Sequence, residues 1–148
     1  MEKKTILLVD DDKEFLFELD EMLTANGYRT IAVDDGLKAL VEARKARPDL
    51  IVMDIKMGGL NGFQVADRLS HGEGTSDIPI IAMSAHFAGP SFSKVTEMTG
   101  IRAMIRKPFA PITVIENIEK FLEEAEKGRE RVPAKKKSGV KNADERRG

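Results

Sequence analysis

Residues 5–12 read Thr-Ile-Leu-Leu-Val-Asp-Asp-Asp, a short apolar run stopped by three carboxylates. Apolar side chains on both faces of so short a run suit a strand inside a parallel sheet. Charges, which are costly to bury, then mark its carboxyl end. Two further runs have this form: Leu50-Ile51-Val52-Met53 ends at Asp54, and residues 101–106 end at Lys107-Pro108. An open α/β sheet binds its ligand outside the carboxyl ends of the strands, so these termini can converge on one crevice. Carboxylates and a lysine gathered there suit a divalent cation and a phosphate.

Outward from that stretch, strand-like runs at 5–9, 28–33, 49–53, 78–83 and 101–106 alternate with segments of helical period. Phe15, Leu16, Leu19, Met22 and Leu23 define a first helix, closed by Asn26-Gly27. Leu37, Leu40 and Val41 define a second before Pro48, and Phe63, Val65, Ala66 and Leu69 a third. Phe92, Val95 and Met98 define a fourth after Ala88-Gly89-Pro90. Ile112, Ile115, Ile118, Phe121 and Leu122 define a fifth, running from Pro111 to about residue 127. Five βα units joined by right-handed crossovers predict an α/β fold: a doubly wound parallel sheet of flavodoxin-like order 2-1-3-4-5 with helices on both faces.

The 148 residues, 41% of them apolar, are enough for one core of ordinary size. Cysteine is absent, which excludes disulfides, thiolate metal sites and cysteine nucleophiles. The opening Met-Glu-Lys-Lys lacks the layout of a signal peptide. No apolar stretch approaches the roughly 18 residues of a membrane span, so a soluble cytoplasmic protein without a membrane partner is expected. Residues 129–148 hold eight Lys/Arg against three Asp/Glu, a net of +5 that leaves −6 for residues 1–128 out of the total of −1. A folded domain over 1–127 and a basic tail over 128–148 are therefore expected, the tail with too little to bury to order itself. It offers no aromatic ring to stack on bases and is too short for a helix-turn-helix, so nucleic acid is not an expected partner.

Hard cations take oxygen ligands, and proteins commonly supply only one or two carboxylates. Asp11 and Asp54, at the ends of adjacent strands, meet that need for Mg²⁺. Asp54 stands alone at its strand end, which leaves one oxygen for a metal and the other for attack on phosphorus. Transfer of so anionic a group depends on positioning and charge neutralisation, which Lys107 and the Ser84 hydroxyl can provide. Lys107-Pro108 is a candidate for a cis peptide bond. Other residues have plainer readings. Asp12 is a helix N-cap, His71 and His86 lack metal-ligand spacing and His71 faces solvent, and Met53, Met57, Met83 and Met98 are core filler.

Four motifs in order, Ile6-Leu7-Leu8-Val9-Asp10-Asp11-Asp12, Leu50 through Asp54-Ile55-Lys56-Met57 to Gly62, Met83-Ser84-Ala85 and Lys107-Pro108-Phe109, resemble the receiver domains of two-component response regulators over residues 4–125. The resemblance implies that Asp54 is the phospho-acceptor, that Asp11 binds Mg²⁺ directly, that Asp10 does so through water, and that the Lys56 backbone carbonyl is a further ligand. It implies a switch hydroxyl at Ser84 and a phosphate-pairing role for Lys107. The implied donor is a phosphohistidine on a sensor histidine kinase or a histidine phosphotransfer protein, with an unknown protein downstream. Such a chain is a signalling switch, not an enzyme beyond its own phosphoryl transfer and dephosphorylation. The alternatives are a phosphorelay intermediate, a phosphorylation-independent scaffold and, last, a haloacid-dehalogenase-like hydrolase, which wants a second Asp where Lys56 stands.

This sequence departs from the family pattern in two places. Gly58 replaces the usual proline four residues after the acceptor, so a looser loop is expected there. Met104 stands three positions before the lysine in place of the family's aromatic switch residue and cannot make the hydroxyl contact of a tyrosine. Lys56 and His86, two residues past Asp54 and Ser84, are expected to tune water access to the phosphate. The family's responsive surface, its fourth helix, fifth strand and fifth helix, would include Met104.

Overall fold

In the computed structural model, residues 2–85 and 99–131 are described. β1 (Thr5–Val9) lies between β2 (Arg29–Val33) and β3 (Leu50–Asp54), followed by β4 (Ile80–Ser84) and β5 (Ile101–Arg106). The sheet is parallel throughout in the order β2-β1-β3-β4-β5, as the alternation of runs predicts. The three inner strands are those with the densest apolar sequence: Ile6 to Val9, Leu50 to Met53 and Ile80 to Met83 are almost wholly shielded from solvent. Parallel strands covered on both faces need such residues.

Register sets up the site. Val9 pairs with Met53, Asp54 with Met83, and Ser84 with Arg106. Asp10, Asp54, Ser84 and Lys107 therefore stand along one edge of the sheet, at the carboxyl ends of four neighbouring strands. Helices α1 (Lys13–Ala25) and α4 (Pro111–Arg131) cover one face, with Leu16, Leu19, Ile118 and Leu122 against Leu8, Val52 and Met83. Helices α2 (Gly36–Ala46) and α3 (Gly62–Ser70) cover the other, with Leu40, Val65 and Leu69 against Leu7, Met53 and Ala82. Strand residues of alternate sequence position serve alternate faces, as the pleat requires.

Several elements depart from what the sequence predicts. Leu37 and Val41 do not belong to the packed face of α2: they are 62% and 59% exposed, and the helix packs through Gly36, Ala39, Leu40 and Ala43 instead. Small residues win because α2 approaches closely; a Cβ on Gly36 would lie 2.6 Å from the Leu60 carbonyl oxygen. β2 starts at Arg29 because the Tyr28 N–H is donated to the Leu23 carbonyl at the end of α1. As an edge strand it exposes Arg29 and Ala32, so apolar cover on both faces does not hold there. β4 starts at Ile80, since the Ile78 N–H closes a turn onto Thr75, and it runs through Ser84. α4 continues past residue 127 to Arg131. The predicted fourth helix and His86 lie outside the described residues, as does the tail from residue 132.

Candidate functional site

Asp10 follows the last residue of β1 and is fully buried. A carboxylate in that position must be hydrogen-bonded. Oδ1 of Asp10 accepts the Asp12 N–H at 2.9 Å, and Oδ2 accepts from the Lys107 ammonium at 2.7 Å. Asp11 is exposed beside it. Asp12 caps α1 as its residue type predicts, Oδ1 accepting the N–H groups of Glu14 and Phe15, each at 3.1 Å.

Asp54 ends β3 and is buried. Its Oδ2 lies 3.5 Å from Lys107 Nζ, and Oδ1 takes a long 3.4 Å hydrogen bond from the Lys56 N–H. The loop that follows is fixed at both ends. The Ile55 N–H is donated to Met83 at 2.9 Å, and the Gly62 N–H returns to the Ile55 carbonyl at 2.8 Å. Gly62 allows α3 to start against the strand end, where a Cβ would meet the Asp54 carbonyl oxygen at 2.7 Å. A capping box between Asn61 and Gln64 completes that start. Within the loop Gly59 has φ +71°, a left-handed conformation that side chains other than glycine's resist. Lys56 is exposed beside Asp54.

Lys107 directly follows β5 and is joined to Pro108 by a cis peptide bond, and its N–H is donated to the Ser84 carbonyl at 2.9 Å. Ser84 itself is buried at the end of β4, beside the strand that ends in Asp54. Met104, opposite Ala82, is partly buried and packs against the apolar cluster under α2 and α3. His71 terminates α3 and faces solvent, as predicted.

Electrostatics couple these groups. Burial, then repulsion from Asp10, raises the Asp54 pKa above the usual carboxylate value, while Lys107 and the Lys56 N–H draw it part of the way back. Burial works to lower the Lys107 pKa, but hydrogen bonding to Asp10 and attraction by Asp10 and Asp54 outweigh it and the net shift is upward. The ammonium is held charged. Asp10, Asp11 and Asp54 each offer an oxygen, and the three oxygens lie within 4.8 Å of one another. Such an all-oxygen cluster suits a hard divalent cation better than zinc or copper.

Two apolar residues of the sequence have a part in this region that their positions in helix and motif do not show. The Lys107 ammonium sits 4.2 Å from the ring centroid of Phe15, and Phe15 meets Phe109 edge to face at 5.8 Å. Both look like ordinary apolar residues in the sequence, and no local spacing links Phe15 to a lysine that follows another strand.

The family model for the response regulator receiver domain matches residues 6–119. The chain belongs to that family. It is 34% identical over 122 residues to the polar-differentiation response regulator DivK of Brucella anthropi, across 82% of this chain and 98% of that one. A CheY-like receiver domain protein from Methanospirillum hungatei superposes with a TM-score of 0.79 at 25% identity, covering 86% and 99% of the two chains. The receiver domain of sensor histidine kinase PA1611 from Pseudomonas aeruginosa, solved with a magnesium ion coordinated in its active site cleft, gives 0.74 at 26%, covering 82% and 99%. This chain is thus a receiver domain of two-component signalling. Among the described residues no helix is long and apolar enough to cross a membrane.

Proposed function

We propose that this receiver acts as a stand-alone, phosphorylation-controlled switch in the cytoplasm. It takes a phosphoryl group from the phosphohistidine of a sensor kinase or phosphotransfer protein. One Asp54 oxygen attacks phosphorus, the P–N bond breaks, and the imidazole leaves with the electron pair, giving an aspartyl phosphate on this chain. The observation that carries this reading is the Lys107 ammonium, 2.7 Å from Asp10 and 3.5 Å from Asp54, beside a cluster of three carboxylates.

The donor set fits Mg²⁺, with Asp11 and Asp54 as direct ligands, Asp10 acting through water and the Lys56 carbonyl as a further ligand. Bound there, the ion would neutralise charge on the incoming phosphate. Lys107 would exchange part of its pairing with Asp54 for a phosphate oxygen, and Ser84 would donate its hydroxyl to another. Lys56 and His86 would govern water access and so the lifetime of the aspartyl phosphate. Met104, on β5 next to the strand of Ser84, would carry the change to the partner surface without the hydroxyl of a tyrosine. The chain would work as a switch and turn over no substrate beyond its own phosphoryl group.

Intact mass after incubation with acetyl phosphate tests the reading. One phosphate should be gained with Mg²⁺, and none in its absence or in Asp54→Asn. Labelling retained in Asp54→Asn would refute the assignment. The same fold without phosphorylation would be a scaffold, and partner affinity unchanged by acetyl phosphate would favour that reading.

A further inference from the structure

The carboxylates are not alone in holding Lys107. A lysine ammonium ends a flexible four-carbon stem and carries large rotamer freedom, so a pocket that needs it at one point must restrain it. Asp10 and Asp54 attract the charge, and the face of Phe15, 4.2 Å from Nζ to the ring centroid, adds a third restraint. That distance is within the roughly 6 Å over which an aromatic face attracts a cation.

The ring is itself well placed. Phe15 lies in the first turn of α1, and its N–H is bound by the Asp12 cap at 3.1 Å. Phe109, two residues after the lysine, packs against it with the ring planes at 79°. The segment that delivers the cation therefore also braces the ring the cation sits on. An aliphatic side chain could fill the same half-buried space but has no quadrupole to aim an ammonium.

We infer that Phe15 is a positioning residue, whose ring holds the Lys107 ammonium against Asp10 and Asp54 so that the cation is already in place when phosphoryl arrives. Its functional consequence rests on the phosphoryl-transfer reading above; its geometric content does not. A cation–π contact at a partly exposed site is worth about 0.5–1 kcal/mol, or roughly two- to fivefold in rate if lost.

The test compares the full chain with Phe15→Leu, Phe15→Met and Phe15→Tyr by two measurements. In NMR spectra the Lys107 Hε resonances should be displaced upfield by the ring in the parent and in Phe15→Tyr, and should return to ordinary lysine positions in Phe15→Leu and Phe15→Met. Phosphoryl uptake from acetyl phosphate should slow about two- to fivefold in the aliphatic variants and recover in Phe15→Tyr. Lys107 resonances unmoved by Phe15→Leu would overturn the proposal, as would equal slowing in all three variants, which marks a packing effect. The two aliphatic shapes guard against one of them disturbing α1. If no protein takes up phosphate while the Lys107 shift still follows the ring, the phosphoryl reading falls and the positioning of Lys107 stands.

Discussion

Lys107 and Asp10 meet at 2.7 Å although 97 positions separate them in the chain. Asp10 is wholly buried, so removing the ammonium leaves its carboxylate, among the described residues, with the Asp12 N–H as its one hydrogen-bond donor. Lys107→Ala should therefore lower stability by about 1–3 kcal/mol, the cost of a buried group that loses a partner. Chemical denaturation measures it. Mg²⁺ should recover part of the loss by supplying the missing positive charge; an unchanged midpoint in the absence of Mg²⁺ would mean that the pair contributes nothing.

Asp54 behaves in the opposite sense. Its pKa in the folded protein is raised by burial and by Asp10, so folding favours the protonated carboxyl. That contribution is complete below the unfolded carboxylate pKa and is lost as pH rises through the folded value. At neutral pH without divalent cations Asp54→Asn should then be more stable than the parent, by on the order of 1 kcal/mol. For a chain of this size that is about 3–5 °C in Tm. The gap should close on acidification toward pH 4 and shrink when Mg²⁺ is added. A variant less stable than the parent at pH 7 would contradict this sign.

Asp11 offers a cleaner probe of the cation, since it is exposed and caps nothing. Asp11→Ala should change stability by no more than about 0.5 kcal/mol yet weaken Mg²⁺ binding by more than the roughly tenfold that loss of a mere outer-shell partner costs. Calorimetric titration of both proteins gives the comparison. Equal affinities would remove Asp11 from the ligand set.

Gly62→Ala should reach the site through the backbone. The added methyl would lie 2.7 Å from the Asp54 carbonyl oxygen and 2.8 Å from the Ile55 Cα, neither of which is a flexible side-chain end. A loss of about 1–3 kcal/mol is expected from such overpacking, with slower phosphoryl uptake as Asp54 is displaced. Normal stability and uptake would show that the start of α3 yields more easily than its hydrogen bond to Ile55 suggests.

The sheet was legible because its strands carry their burial in their composition: Ile6 to Val9 and Leu50 to Met53 are suited to little besides the centre of a parallel sheet. The acidic cluster was legible for the same reason, since Asp10 and Asp54 interrupt runs that are otherwise apolar. α2 was misread because bulk was taken for burial, whereas Gly36, Ala39 and Ala43 pack by being small and leave Leu37 and Val41 outside. The starts of β2 and β4 were misread because Tyr28 and Ile78 give their N–H groups to turns, a choice that their apolar side chains do not announce. The seat of Lys107 on Phe15 joins two elements at opposite ends of the domain sequence, and a one-dimensional pattern carries no trace of it.

The order of the sheet also has a bearing on synthesis. The acidic cluster draws on β1 and β3 and is fully encoded once Asp54 has been added, but its compensating charge lies beyond β5, the last strand to be made. A nascent chain thus holds its carboxylates before it holds the lysine that balances them, and it cannot present the finished pocket until Lys107 has left the ribosome. Products cut short before Lys107 would carry the acidic cluster without its balancing charge.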